Sequence, residues 1–312
     1  MRDHLIRSTV RKCLLAVFCA APFSTFGARG LAASTTASVS LQSRYDWDRE
    51  VNEIMRLYSR EKYDEVTSRS LNMFERCGDS EGLASLAVLY ARLVYIRRGE
   101  FEQARKLVGA YWERFKDDER LDKRVGMKVK HVARQDYLGS MTSVEIAAKN
   151  YDAAISYCNQ YVDFFRERRD DPETRWPQKS QPELCNRVIE SKLAREIGQC
   201  YFNAGQYKAA LDNFNHYILF VQKNGLYPSW DDARKNPPPD AEFEFYVQLY
   251  VWVGECHYDL GDKQQALKAF ETASRNLERG DIMHARPWRE EFTARVNEMK
   301  EKTLPLWIAK CK

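Results

Sequence analysis

The side chains that could carry acid–base or nucleophilic chemistry are scattered along this chain. The five histidines stand at positions 4, 131, 216, 257 and 284. No GxSxG, GxGxxG, HExxH or phosphate-binding glycine loop accompanies them. The acidic pairs Asp170-Asp171 and Asp231-Asp232 lie near prolines, where carboxylates commonly serve turns and helix N-termini. The sequence therefore predicts a protein that is not an enzyme and needs no cofactor.

The cysteines do not follow a metal-binding pattern either. No CxxC pair is present, and Cys256-His257 is an isolated neighbouring pair. Six cysteines lie beyond residue 33, which allows 15 disulfide connectivities, and buried free thiols explain them equally well. They are Cys77, Cys158, Cys185, Cys200, Cys256 and Cys311. We expect no metal site, and the pairing stays open.

The elements that must position any site begin after a targeting segment. Basic residues precede an apolar run over 13–23, and Ala-Ala-Ser at 32–34 offers a cleavage site. The run is shorter than the roughly 20 residues of a transmembrane helix. We expect a signal peptide at 1–33, a flexible linker at 34–44, and a periplasmic or secreted mature chain. The alternatives are a mitochondrial transit peptide, because the segment is rich in Arg and Ser, and a retained anchor.

Removal of residues 1–33 leaves a nearly neutral chain. That segment holds five Lys/Arg and one Asp, a net charge of +4 out of the +4 of the whole chain. Nucleic-acid binding depends on cations that displace counterions from phosphates, so we expect none. The basic run over 123–134 is surrounded by acidic residues at 117–122 and 136, which favours a solvated helix face. No stable membrane span is expected after processing.

A repeated pattern of small and aromatic residues organises the rest of the chain. Apolar residues recur at three- and four-residue steps, and a glycine separates two such stripes. The clearest unit contains Ala194, Ile197, Gly198, Tyr201, Gly205, Tyr207, Ala210, Phe214 and Tyr217. The next contains Tyr250, Val253, Gly254, His257, Gly261, Ala266, Phe270 and Ala273. Weaker units surround Tyr95 to Tyr111 and Tyr151 to Tyr161, and a faint one surrounds Leu57 to Met73.

This pattern resembles the tetratricopeptide repeat, a hairpin of helices A and B. The position of the helix-B aromatic recurs at residues 63, 101, 151, 207 and 263, in steps of 38, 50, 56 and 56 against 34 in the family. The resemblance implies an all-α, right-handed superhelical array of about five hairpins over 45–312. The spacing predicts lengthened A helices at 183–204 and 241–260. A capping helix is expected from Trp288 to Thr303, ended by Pro305, with an apolar tail at 306–308.

The resemblance also implies a concave groove that binds a protein or peptide. Its expected lining is Lys192, Arg195, Gln199, Phe202, Asn203, Gln248, Val251, Glu255, Tyr258 and Asp259. Lys192, Arg195 and Asn203 resemble part of the carboxylate clamp with which some family members hold a peptide C-terminus, although a solvated face explains them as well. In the second unit the same positions are apolar: Leu86, Leu89, Leu93 and Ile96. We expect the N-terminal helix over 47–59 to cover them, and a partner helix is the alternative.

Loop tryptophans are the second candidate site. Trp176, Trp230 and Trp288 each stand beside a proline, just ahead of a helix. Either each caps its own hairpin or the three form a row of anchors. The leading hypothesis is a protein-binding scaffold or adaptor in an envelope or secretion assembly. The alternatives are a structural subunit of a larger complex, or a glycan-binding module that uses these tryptophans. The partner and the oligomeric state are open.

Overall fold

The computed structural model describes residues 41–122, 127–169, 181–223, 240–283 and 290–312. Those residues form eleven helices and one short antiparallel strand pair. The helices are α1 (Leu41–Ser59), α2 (Tyr63–Arg76), α3 (Glu81–Arg98), α4 (Phe101–Phe115), α5 (Val129–Ala147), α6 (Tyr151–Arg169), α7 (181–203), α8 (Tyr207–Lys223), α9 (Asp240–Asp259), α10 (Lys263–Met283) and α11 (290–311). The strands are β1 (Leu121–Asp122) and β2 (Met127–Lys128). The predicted all-α fold is confirmed.

The helices pair in sequence as five hairpins, numbered 1 to 5: α1–α2, α3–α4, α5–α6, α7–α8 and α9–α10. Every B helix begins at the recurring position that the sequence analysis identified: residue 63, 101, 151, 207 or 263. The long A helices of hairpins 4 and 5 lie within two residues of their predicted bounds. Contacts divide the chain into two compact units, with the boundary in sequence between Leu107 and Val108, inside α4.

One turn geometry closes all five hairpins. The pivotal residue has a φ of 59° to 87°, in the left-handed region; the five are Glu61, Gly99, Lys149, Gly205 and Gly261. Its N–H donates to the carbonyl three residues earlier, and the next N–H donates to the carbonyl five residues earlier. This pair of bonds satisfies carbonyls that the end of an α-helix leaves open. Glycine adopts the left-handed region without strain, whereas Glu61 and Lys149 pay a steric cost.

The hairpin interiors follow the same register. Five residues after each pivot stands a fully buried small residue: Val66, Ala104, Ala154, Ala210 or Ala266. Further along the B helix the side chain is large where the facing A-helix residue is glycine. A Cβ on Gly198 would lie 2.6 Å from Phe214 Cε1, and one on Gly254 would lie 2.5 Å from Phe270 Cε1. A Cβ at either distance would force the phenylalanine ring to shift, so these glycines permit the close approach that the sequence predicted.

Neighbouring hairpins share buried apolar seams. One cluster joins hairpins 3 and 4 and contains Leu138, Val162, Phe164, Phe165 and Ile189. Another joins hairpins 4 and 5 through Ala194, Phe214, Trp252, Cys256 and their neighbours. In the N-terminal unit, Ile54 and Leu57 of α1 pack with Val66 and Met73 of α2 and Val94 of α3. Each hairpin therefore depends on the adjacent helices to bury its apolar face.

Two predicted boundaries differ from the structure. Helix α1 begins at Leu41, so residues 41–44 of the expected linker are helical. The cap does not end at Pro305, because the π-helical segment Met299–Thr303 is followed by about two further α-helical turns, Leu304–Cys311. Pro305 is the second residue of that segment, where a missing N–H and a fixed φ are tolerated. No helix among the described residues is long and apolar enough to span a membrane.

Candidate partner-binding surface

The first part of the predicted groove lies on α7, which contains the π-helical segment Leu193–Gly198. A π turn holds more residues than an α turn, so it rotates the residues before it relative to those after it. Lys192 points into the protein, where only 11% of its side chain is exposed. Its ammonium lies 2.5 Å from Glu196 Oε2 and 4.3 Å from the centre of the Tyr161 ring. Lys192 is therefore a buried ion-pair residue and not an open groove position.

The same pair neighbours two thiols. Cys158 Sγ lies 3.7 Å from Glu196 Oε2 and 3.7 Å from Thr142 Oγ1. Burial, with a smaller effect of Glu196, raises the pKa of the Cys158 thiol well above its ordinary value. Burial would lower the pKa of Lys192, but Glu196 and the nearby Tyr161 and Cys158 together outweigh it and raise that pKa. The lysine is therefore charged and the thiol neutral at physiological pH. Cys158, Cys200 and Cys256 are buried free thiols.

The other predicted positions on α7 divide into two groups. Gln199 is buried, which corrects its assignment to an open groove. Arg195 is half-buried and places its guanidinium 3.9 Å from the centre of the Phe245 ring on α9, so it links the A helices of hairpins 4 and 5. Phe202 is half-buried and contacts Tyr207 edge to face, and Asn203 is exposed. Of the predicted carboxylate clamp, Asn203 is exposed, Arg195 lies over the Phe245 ring, and the Lys192 ammonium is paired with Glu196.

The second part of the predicted groove, on α9, is covered by the chain itself. Val251 is buried in a cluster with Val296, Met299 and Leu304 of α11, so it does not line an open groove. Tyr258 meets Trp307 edge to face at 5.2 Å. Trp307 also stacks on Phe270 at 5.5 Å with an interplanar angle of 14°. Trp307 of the apolar tail therefore docks onto the last hairpin, while Leu306 is 45% exposed.

Glu255 is the most perturbed carboxyl of this region. Trp307 and Lys310 of α11 and Asp259 of its own helix are the groups that shift its pKa besides burial. Burial, and then Asp259, raise the pKa of Glu255 to about 7, against the lowering effects of Trp307 and Lys310. Asp259 is exposed and Gln248 is half-buried.

The remaining predictions have mixed outcomes. Leu86 packs against the cluster formed by α1, α2 and α3, as expected for cover by the N-terminal helix, and Ile96 is buried. The basic stretch is neutralised locally: Glu119 pairs with Lys128 at 3.0 Å and also with Lys130. Trp176, Trp230 and Trp288 lie outside the described residues. The described residues hold no group of three or more His, Cys, Asp or Glu that could bind a metal ion.

Comparison with known protein families identifies a repeat in hairpin 5, the hairpin that α11 covers. Residues 247–275 match the tetratricopeptide repeat family. The match begins inside α9 and ends inside α10, so it spans the turn at Gly261 and the close contact of Gly254 with Phe270. The chain matches no curated protein. The repeat supports a protein of the tetratricopeptide-repeat family and a role as a protein-interaction scaffold.

Hairpins 1 and 3 form the same turn without the residues that mark the repeat. Hairpins 1 and 3 carry Glu61 and Lys149 at the pivot, and Ile54 and Thr142 at the position of Gly254. The facing B-helix residues are correspondingly small, Ser70 and Cys158, and both are fully buried. These size exchanges conserve volume while they erase the recognisable residues. Sequence reasoning missed the buried Lys192–Glu196 pair, since its only signal is an i, i+4 spacing of opposite charges.

Proposed function

We propose that this protein is an exported scaffold or adaptor that binds a protein or peptide along its A helices, within an envelope or secretion assembly. It acts by binding, without catalysis and without a cofactor. The repetition of one hairpin turn at five places, together with the tetratricopeptide match over 247–275, carries the proposal. Stacked hairpins present extended surfaces because each unit contacts only its neighbours.

Accessible A-helix positions are the places where a partner would be recognised. Asn203 and Asp259 are exposed, and Phe202, Gln248 and Tyr258 are half-buried. They combine amides, a carboxylate and aromatic rings. This mixture suits peptide recognition, in which aromatic side chains supply contact area and polar groups fix the register.

A paired substitution tests the surface. The partner is first identified by crosslinking and pull-down of the mature chain from its native cells, and its affinity is then measured by calorimetry. Asn203→Arg on an A helix is compared with Gln264→Arg, an equally exposed amide on the B helix α10. We expect Asn203→Arg to weaken binding at least tenfold and Gln264→Arg to leave it unchanged. Equal affinities for both variants would exclude the A-helix surface.

Export and assembly require separate measurements. N-terminal sequencing of the mature protein should give a first residue near Ser34 if the targeting segment is removed as expected. Light scattering of the purified mature chain should give the mass of a monomer. A fixed oligomer of this chain would instead favour a structural subunit, and an intact Met1 would contradict processing.

A further inference from the structure

Four side chains of hairpins 1 and 2 form a cluster inside the N-terminal unit. They are Tyr58 of α1, Tyr63 of α2, and Tyr90 and Arg97 of α3, and we name them the arginine–tyrosine site. The Tyr58 ring contacts the Tyr63 ring edge to face at 6.0 Å and the Tyr90 ring at 5.7 Å. The Arg97 guanidinium lies 5.6 Å from the centre of the Tyr58 ring and 5.5 Å from that of Tyr63. Connected aromatic rings from two helices therefore orient one cation from a third.

Arg97 keeps most of its hydrogen-bonding capacity. Its Nη1 donates to the Tyr63 hydroxyl at 2.6 Å, and it makes no ion pair with Asp or Glu within the part of the chain that the structure describes. The next residue, Arg98, instead pairs with Asp64 at 2.7 Å. A guanidinium has five N–H donors, and Arg97 is exposed. The site therefore presents to solvent an oriented cation whose charge is not balanced by any carboxylate of the described chain.

Arg97 also stands at a place in the hairpin that recurs along the chain. It precedes the pivot of its turn, Gly99, by two residues. Asn203 and Asp259 precede the pivots of hairpins 4 and 5 by the same two residues, and both are exposed. Those are two of the A-helix positions at which the proposed function places partner recognition. The equivalent position of hairpin 2 is a cation, so its natural counterpart in a partner is an anion.

Resting on the proposed function, we propose that the arginine–tyrosine site binds a carboxylate of the partner, an Asp or Glu side chain flanked by large apolar residues. The planar fork of a guanidinium matches the two oxygens of a carboxylate. Because aromatic rings already orient this fork, less side-chain freedom is lost on binding. Tyr63, whose oxygen accepts from Arg97, keeps its own proton to donate to the same anion. One unpaired cation balances a carboxylate, whereas phosphate groups are typically held by clusters of arginines.

The apolar flank follows from the weakness of an exposed ion pair. Such a pair contributes little affinity by itself, so apolar contacts must accompany it. Met55 is 48% exposed and lies one turn before Tyr58 on α1, so the two side chains share a face of that helix. Methionine is flexible and polarizable and adapts to varied apolar partners. A peptide with a large apolar residue on each side of its carboxylate can therefore use Met55 in addition to Arg97.

Fluorescence anisotropy of two synthetic peptides with the full-length chain tests the site. The first is Gly-Ser-Leu-Asp-Leu-Ser-Gly, with an amidated C-terminus and an uncharged dye, so its aspartate is the sole carboxylate. The second has Asn in place of Asp. We expect the wild type to bind the Asp peptide at least tenfold more tightly than the Asn peptide. Arg97→Gln should lower the affinity for the Asp peptide to that for the Asn peptide. Arg97→Lys, which keeps the charge but loses the fork, should fall between the two.

Two further variants separate carboxylate recognition from general damage. Arg98→Gln is the matched control, because Arg98 is also exposed but already pairs with Asp64, and it should leave both affinities unchanged. Met55→Ser should weaken both peptides by the same factor, since it removes only apolar contact. Should Arg97→Gln lose its helical circular dichroism, Arg97→Lys decides, because it must weaken the Asp peptide and spare the Asn peptide.

Equal affinity of the wild type for the Asp and Asn peptides would overturn the proposal. At least tenfold tighter binding of the same peptide with phosphoserine in place of Asp would also overturn it, because the site would then be a phosphate site. If either result accompanied a loss of partner binding in Asn203→Arg, the proposed function would stand and only this site would be removed.

Discussion

At the scale of single residues, the pivot of each hairpin turn decides how much backbone strain the turn stores. Lys149 has a φ of 61° where Gly205 has 76° in the equivalent turn. A side chain in the left-handed region costs about 1–2 kcal/mol, and glycine loses about 0.5–1 kcal/mol of that advantage through the entropy of the unfolded chain. Hairpin 3 therefore forms the same turn without a glycine, and Lys149 bears this strain.

We expect Lys149→Gly to raise the free energy of unfolding by about 0.5–1 kcal/mol, because it removes this strain. Gly205→Ala should lower it by about 1 kcal/mol for the converse reason, although nothing lies within 4 Å of an added Cβ. Urea unfolding followed by circular dichroism measures both. If both substitutions raised, or both lowered, the free energy of unfolding, backbone strain would not be the cause.

The contact of Gly198 with Phe214 yields a second prediction. Gly198→Ala puts a Cβ 2.6 Å from Phe214 Cε1 and should destabilise the protein by about 1–3 kcal/mol. Phe214→Leu in the same chain makes room for the added Cβ. The loss in the free energy of unfolding of the double variant should therefore be smaller than the sum of the two single losses, by about 1 kcal/mol or more. Gly139→Ala is the control. Its added Cβ meets Tyr161 at an ordinary 3.7 Å, so the helix propensity of alanine should stabilise α5.

At the scale of elements, the docking of α11 on α9 couples the last hairpin to pH. The pKa of Glu255 is raised to about 7 from an ordinary value of 4.5. A carboxyl with a raised pKa contributes stability that is complete below pH 4.5 and is lost as pH rises through about 7. The last hairpin and its cap should therefore be less stable at pH 8 than at pH 5.

We expect Glu255→Gln to stabilise the protein at pH 8, on the order of 1–2 kcal/mol, and to have little effect near pH 4.5. Thermal unfolding of wild type and variant at both pH values measures the difference. Glu271 is an exposed carboxyl on α10, so Glu271→Gln is the matched control. The difference in stability between this variant and the wild type should be the same at both pH values. A constant difference between wild type and Glu255→Gln at all pH values would show that the carboxyl does not titrate in this range.

Sequence reasoning located the elements better than the surfaces. The recurring position of the helix-B aromatic coincides with the start of each B helix, because tetratricopeptide spacing depends on buried small and aromatic residues, whose positions a helix fixes by its period. Lys192 was placed in the groove by carrying the register of Gly198 back through Leu193–Gly198, which is π-helical. Val251 was wrong for a different reason, since α11 covers it, and a contact so remote along the chain leaves no periodic trace.

At the scale of the whole molecule, the packing is local along the chain. The clusters described above join hairpins that are adjacent in sequence, or join hairpin 5 to the capping helix α11. Stability in such an architecture is approximately a sum of hairpin terms and nearest-neighbour interfaces. Damage at one end should therefore spread to the neighbouring hairpin and fade beyond it.

Hydrogen exchange can measure this decay. Gly254→Ala puts a Cβ 2.5 Å from Phe270 Cε1 in hairpin 5. We expect faster amide exchange in α9, α10 and α11, a smaller change in α8, and unchanged exchange in α1 and α2, because the free energy of local opening depends on neighbouring interfaces. Mass spectrometry of peptic fragments resolves these elements. The Gly139→Ala variant is the reference, because its added Cβ disturbs no close contact. Uniform loss of protection from α1 to α11 would mean that the chain unfolds as one cooperative unit. That result would contradict a stability made of hairpin terms and nearest-neighbour interfaces.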